Sequence, residues 1–133
     1  MYKHKVLIVE DNKTEALALK LAICGLKNLE THYVPDGKNL LEKLQINPSF
    51  IILDMMLPDI NGLELIKKIK AYDSQIEIIV VSAQDDISVV AKVQEEGVFG
   101  YVVKSESCLM YLKKTIENLM MVLEKREGMV TTG

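Results

Sequence analysis

Phe50-Ile51-Ile52-Leu53-Asp54 is an unbroken apolar run closed by a carboxylate. A run that is apolar at every position, rather than at alternate ones, marks a strand covered on both faces. Three further runs have this form: Val6-Leu7-Ile8-Val9 ends at Glu10-Asp11, Ile78-Ile79-Val80-Val81 at Ser82, and Tyr101-Val102-Val103 at Lys104. Thr31 to Val34 reads as a weaker fifth strand. Between the strands lie stretches of helical period, from Lys13 to Leu26, Lys38 to Leu44, Leu63 to Lys70, Ile87 to Glu95 and Cys108 to about Lys125.

The alternation is a repeated βα unit. Ala16, Leu19, Ile23 and Leu26 in the first helix, and Leu63, Ile66 and Ile69 in the third, recur at three- and four-residue steps and give each helix one apolar stripe. Pro35-Asp36-Gly37, Asn47-Pro48, Pro58-Asp59, Asn61-Gly62 and Gly97 punctuate the joins. Parallel strands linked by right-handed crossovers make an open sheet with helices on both faces, and such sheets bind ligands at the carboxyl ends of their strands. All four polar stops would therefore gather at one edge.

A chain of 133 residues has the size of one ordinary domain. Its formal charge of −3, without a long run of like charges, gives no nucleic-acid footprint. No apolar segment approaches the ~20 residues that span a bilayer, and no signal sequence precedes the first strand, so the expected location is the cytoplasm. Cys24 and Cys108 lack metal-ligand spacing and are expected to be free thiols, with Cys24 packed on its helix.

Glu10, Asp11 and Asp54 brought together would repel each other and need a counter-charge. Mg2+ suits them, because it takes one or two carboxylates, keeps waters and binds phosphate oxygen. A carboxylate is also a covalent acceptor of phosphoryl groups, and that transfer requires in-line positioning and cations more than an acid or base. Asp54 is the candidate nucleophile, Lys104 a mobile charge for a phosphate oxygen, and Ser82 a hydroxyl donor. Taken singly, each residue has a plainer reading: Glu10-Asp11 as a helix-entry pair, Lys104 as a surface lysine, Ser82 as a turn serine and Tyr101 as an edge tyrosine.

In order, Val6-Leu7-Ile8-Val9-Glu10-Asp11-Asn12, Ile52-Leu53-Asp54-Met55-Met56-Leu57-Pro58-Asp59-Ile60-Asn61-Gly62-Leu63-Glu64, Ser82-Ala83 and Gly100-Tyr101-Val102-Val103-Lys104 resemble the receiver domain of two-component response regulators. The resemblance covers about residues 3 to 123. It implies an α/β, flavodoxin-like, doubly wound five-stranded parallel sheet of order 2-1-3-4-5 with five helices. It further implies phosphorylation of Asp54 by a histidine kinase, a phosphotransfer protein or a small phosphodonor. Mg2+ (or Mn2+) would be held by Asp11, Asp54 and the backbone carbonyl of Met56, with Glu10 acting through water. Lys104, Ser82 and the Ala83 backbone would stabilise the phosphoryl group, and Ser82 and Tyr101 would form a switch that remodels the face made by helix four, strand five and helix five. The protein is then a stoichiometric phosphoacceptor with self-catalysed phosphorylation and dephosphorylation, not a turnover enzyme. Ser105 stands where the family usually has proline. A non-proline cis peptide costs roughly 2.5 to 4 kcal/mol, so a trans bond is expected there.

The receiver unit is expected over residues 3–125, with 126–133 a flexible tail or the start of a linker; whether a longer regulator continues beyond it stays open. The last helix carries Leu109, Leu112, Ile116, Leu119 and Leu123, a sheet-facing stripe or a short heptad seam. Met120, Met121 and Val122 widen its apolar surface, and this end is expected to meet a downstream effector, a following domain or a second copy. A homodimer would use the helix-four, strand-five, helix-five face, and no direct nucleic-acid or membrane contact is expected. The alternative is an interaction module of the same fold that works without phosphorylation. An aspartate-based phosphatase would need an acid where Met56 stands, and a dinucleotide fold would need a Gly-rich turn after the first strand.

Overall fold

The structure, a computed structural model, describes residues 4–132, with side chains described through Gly128. Five strands alternate with five helices: β1 (His4–Val9), α1 (Lys13–Ile23), β2 (Leu29–Val34), α2 (Gly37–Lys43), β3 (Phe50–Leu53), α3 (Gly62–Tyr72), β4 (Glu77–Ser82), α4 (Ile87–Glu95), β5 (Gly100–Val103) and α5 (Cys108–Thr132). A 3-10 turn, Leu44–Ile46, extends α2. The strands pair in parallel in the order β2-β1-β3-β4-β5.

Alternation of side chains across each strand divides the core in two. Val6, Ile8, Phe50, Ile52, Ile79 and Val81 face α1 and α5, where they meet Leu19, Ile23, Leu112, Ile116 and Leu119. Leu7, Val9, Ile51, Leu53, Ile78 and Val80 face the other way, onto Leu40 of α2, Leu65, Ile66 and Ile69 of α3 and Val93 of α4. Both layers are buried, which is why the strand runs are apolar without a break.

The α5 stripe is sheet-facing at Leu112, Ile116, Leu119 and Leu123, and Met120 joins it, whereas Leu109 sits at the exposed rim. Helix continues past Lys125, so the backbone of 126–132 is helical. Leu63 packs half-buried against the inner layer with Ile66 and Ile69, and Leu65 joins them fully buried. One side-chain expectation needs correction. Cys24 is exposed at the C-cap of α1, its thiol donating to the Leu21 carbonyl at 3.1 Å, since the helix ends before that position turns inward.

No peptide bond among the described residues is cis, in keeping with the expectation at Lys104-Ser105. No helix among them is long and apolar enough to cross a membrane.

Candidate functional site

Backbone pairing runs one residue beyond each strand and so levels the polar ends. The Glu10 N–H donates to the Val34 carbonyl, the Asp54 N–H to that of Val9 and the Lys104 N–H to that of Ser82. Glu10, Asp54 and Ser82 are buried at this edge. One oxygen of Asp54, Oδ1, accepts from the Met56 N–H at 2.9 Å, while Oδ2 lies 3.0 Å from the Lys104 ammonium. The carboxylate is thus held at both oxygens.

Lys104 Nζ is the hub of the site. It contacts Glu10 Oε1 at 3.2 Å, Asp54 Oδ2 at 3.0 Å and Glu15 Oε2 at 2.9 Å. Burial works against its charge, but the hydrogen bonds to Glu15 and Asp54 prevail and raise its pKa above the ordinary lysine value. Burial pushes the Glu10 carboxyl up to about 8, helped by a hydrogen bond and charge repulsion from Asp54 and opposed by Lys104. Glu10 is also held by its neighbours: its Oε2 accepts from the Asn12 N–H at 3.3 Å, and its carbonyl accepts from the Tyr33 hydroxyl at 2.6 Å.

Ser82 and Tyr101 meet at the loop after β4. The Ser82 hydroxyl accepts from the Gln84 N–H at 3.2 Å, and the Tyr101 hydroxyl donates to the Gln84 carbonyl at 2.7 Å. The phenol pKa is raised chiefly by burial, against a hydrogen bond with Ser82, and the charges of Asp54 and Asp85 add to the rise. Ala83 follows on that loop and is exposed.

Asp11 stands apart from the Lys104 hub. It is exposed and lines a cleft with Met56 and the rest of the β3–α3 loop, from Met55 to Asn61. That loop is braced by a bridge between Met56 and Asn61, by Asn61 capping α3, and by Asp59, which accepts from the N–H groups of Gly37 and Lys38. It also passes close over Gly62, where a Cβ would lie 2.8 Å from Met55 Cα. Gly62→Ala is expected to cost about 1–3 kcal/mol, because backbone rather than a flexible side-chain tip must yield. The shift in urea midpoint reads this cost, and an unchanged midpoint would show that the loop floats.

Glu15 is the site residue that the sequence reading missed. The pattern Asn12-x-x-Glu15 resembles a capping box, in which the acid folds back onto the cap N–H. Here Asn12 Oδ1 does accept from the Glu15 N–H, but Glu10 takes the Asn12 N–H and leaves the Glu15 carboxylate for Lys104. An acid in the first turn of a helix that starts at the polar edge was the available signal.

Oxygens of Glu10, Glu15 and Asp54 lie within 4.8 Å of one another. This all-oxygen set, with Asp11 nearby in sequence and negative charge in excess of Lys104, suits a hard divalent cation. Lys104 sits between those three carboxylates, and Asp11 lines the neighbouring cleft with Met56.

Residues 6–117 match the family described as the response regulator receiver domain. The chain belongs to that family. Response regulator ArlR of Staphylococcus aureus is 39% identical over 102 residues, covering 75% of this chain and 45% of ArlR. The receiver domain of a putative Luxo repressor protein from Vibrio parahaemolyticus superimposes with a TM-score of 0.84 at 22% identity, over 96% of this chain and 97% of that one. A Mn2+-bound form of response regulator Rcp1 superimposes with a TM-score of 0.75 at 23% identity, over 84% of this chain and 90% of Rcp1. The receiver domain spans less than half the length of the curated relatives it matches.

Proposed function

We propose that this receiver domain is a cytoplasmic signalling switch in which Asp54 accepts a phosphoryl group from a histidine kinase, a phosphotransfer protein or a small phosphodonor, with Mg2+ (or Mn2+) as cofactor. The observation that carries the reading is the two-sided hold on a buried carboxylate, Met56 N–H on Oδ1 and Lys104 Nζ on Oδ2, at the open carboxyl edge of the sheet.

In this reaction the Asp54 carboxylate attacks phosphorus in line. A P–O bond forms as the bond to the donor breaks, P–N in a phosphohistidine or P–O in acetyl phosphate, and the donor leaves with the bonding electrons. Asp11, Asp54 and the Met56 carbonyl would hold the cation, with Glu10 acting through water, and the cation would neutralise charge on the non-bridging oxygens. Lys104 donates to a phosphoryl oxygen while it stays beside Glu10 and Asp54. The Ser82 hydroxyl leaves the Gln84 N–H to donate to a second oxygen, and the Ala83 N–H serves the same group. No residue turns over substrate, so each molecule is a stoichiometric acceptor that also governs its own dephosphorylation.

Movement of Ser82 disturbs the Gln84 loop, to which the Tyr101 hydroxyl is tied. That couples the acceptor to a face on which Ile87 of α4, Val103 of β5 and Met110 and Tyr111 of α5 are exposed. A downstream effector, a following domain or a second copy would dock there, favoured by a local charge change acting on a two-state element.

Intact mass after incubation with acetyl phosphate and Mg2+ tests the reading. The expected result is a gain of one phosphoryl group, absent when EDTA is present. No adduct under any condition would instead favour the phosphorylation-independent module.

A further inference from the structure

The contact between Lys104 and Glu15 has no part in the phosphoryl transfer just described, yet it is the shortest of the three that the ammonium makes. We propose that Glu15 is a positioning residue, a surface latch that holds the Lys104 ammonium on the α1 side of Asp54 and slows phosphoryl uptake until it lets go. The proposal rests on the reading of Asp54 as phosphoacceptor.

An ammonium has three donors, and in this structure three carboxylates engage it. An incoming phosphoryl oxygen is a fourth acceptor, so one existing contact must be given up. Glu10 and Asp54 are 1% and 7% exposed at their side chains, and stripping a counter-charge from either is costly. Glu15 is 47% exposed and is solvated by water as soon as it is released. It is therefore the partner that Lys104 surrenders.

Local structure favours the latched position before phosphorylation. Asn12 accepts from the Glu15 N–H at 3.0 Å and fixes the base of its side chain in the first turn of α1. On the other side, Lys104 and Glu15 border a cavity of about 230 Å³ between α1 and α5, lined by Ala18, Leu19, Cys108 and Leu109. No packed side chain fills that space to pin the lysine, so its position depends on which carboxylate it contacts.

The test uses the full chain with acetyl phosphate and saturating Mg2+, comparing initial rates of phosphoryl gain by intact mass in wild type, Glu15→Gln and Glu15→Asp. A half-exposed ion pair holds Lys104 only modestly, so both variants are expected to react about two- to fivefold faster. Aspartate keeps the charge but is one methylene too short to keep the contact. The advantage is expected to shrink as salt is raised, because exposed pairs are screened. An equal or slower rate in Glu15→Gln overturns the latch. A fast Glu15→Gln beside a slow Glu15→Asp assigns the effect to repulsion of the donor by charge, and overturns it as well. No adduct in wild type overturns the phosphoacceptor reading together with the latch, whereas a normal adduct with unchanged variant rates overturns the latch alone.

Discussion

Asp54→Asn is expected to take up no phosphoryl group under conditions that convert the wild type to a monophosphoprotein. The amide matches the carboxylate in shape, and its oxygen still accepts from the Met56 N–H now at 2.9 Å. What it lacks is the negative oxygen that attacks phosphorus, and no hydrogen bond restores one. The loss is not one of folding. Asp54 raises the Glu10 pKa by a hydrogen bond and by like-charge repulsion, so removing its charge relieves Glu10, and Lys104 keeps Glu10 and Glu15 as partners. The urea midpoint of the metal-free variant should equal or exceed that of wild type while the adduct vanishes from the mass spectrum. A persistent adduct would move the acceptor to another group, with the Glu10 carboxyl beside Asp54 the first candidate.

Lys104→Met has the second large effect, on stability as well as on chemistry. It strips the ammonium from two buried carboxylates and is expected to destabilise the metal-free protein by about 3 kcal/mol, the lower end of the penalty for breaking a buried pair. Protonation of Glu10 and exposure of Glu15 keep the cost from rising further. The cost should also depend on pH. Glu10 titrates in the folded wild type at about 8 against an ordinary 4.5, so the folded state holds the extra proton between those values. Its contribution to stability is complete below about 4.5 and is lost as pH rises through about 8. Lys104 opposes this rise in wild type, so the variant should lose stability more steeply over the same range. Mg2+ should restore more stability to the variant than to wild type, since a cation then replaces the missing charge. Urea midpoints at pH 6 and 8, with and without Mg2+, read all of this. Equal midpoints for the two proteins throughout would mean that water, not Lys104, balances the carboxylates.

Much of this site was legible from local pattern. The apolar runs and the polar residue closing each one are short-range signals, and a parallel sheet sends every such residue to the same edge. Asp54, Glu10 and Lys104 meet there as expected. Asp11 shows where the pattern loses resolution. It adjoins Glu10, but both lie beyond β1: Glu10 is still paired to Val34 and buried under Lys104, while Asp11 stands in the following bend, exposed at the cleft with Met56. Glu15 was invisible for a different reason: its partner lies 89 residues away, and its helical position allowed an ordinary capping role. Cys24 went astray because helical period says nothing of where the last turn ends.

By itself, then, the order of residues determined the βα rhythm, the doubly covered strands and the set of polar groups at their carboxyl ends, because each follows from side-chain period and turn chemistry within a few positions. Tertiary structure alone decided how those groups share one ammonium. The order β2-β1-β3-β4-β5 places β3 between β1 and β4, so that Asp54 lies beside Glu10, while the loop leaving β5 carries Lys104 back over both. The entry of α1 then brings Glu15 against the same nitrogen. Those distances depend on chain crossings and on burial, which favours pairing charges that water no longer reaches, and neither is written in any short stretch of the chain.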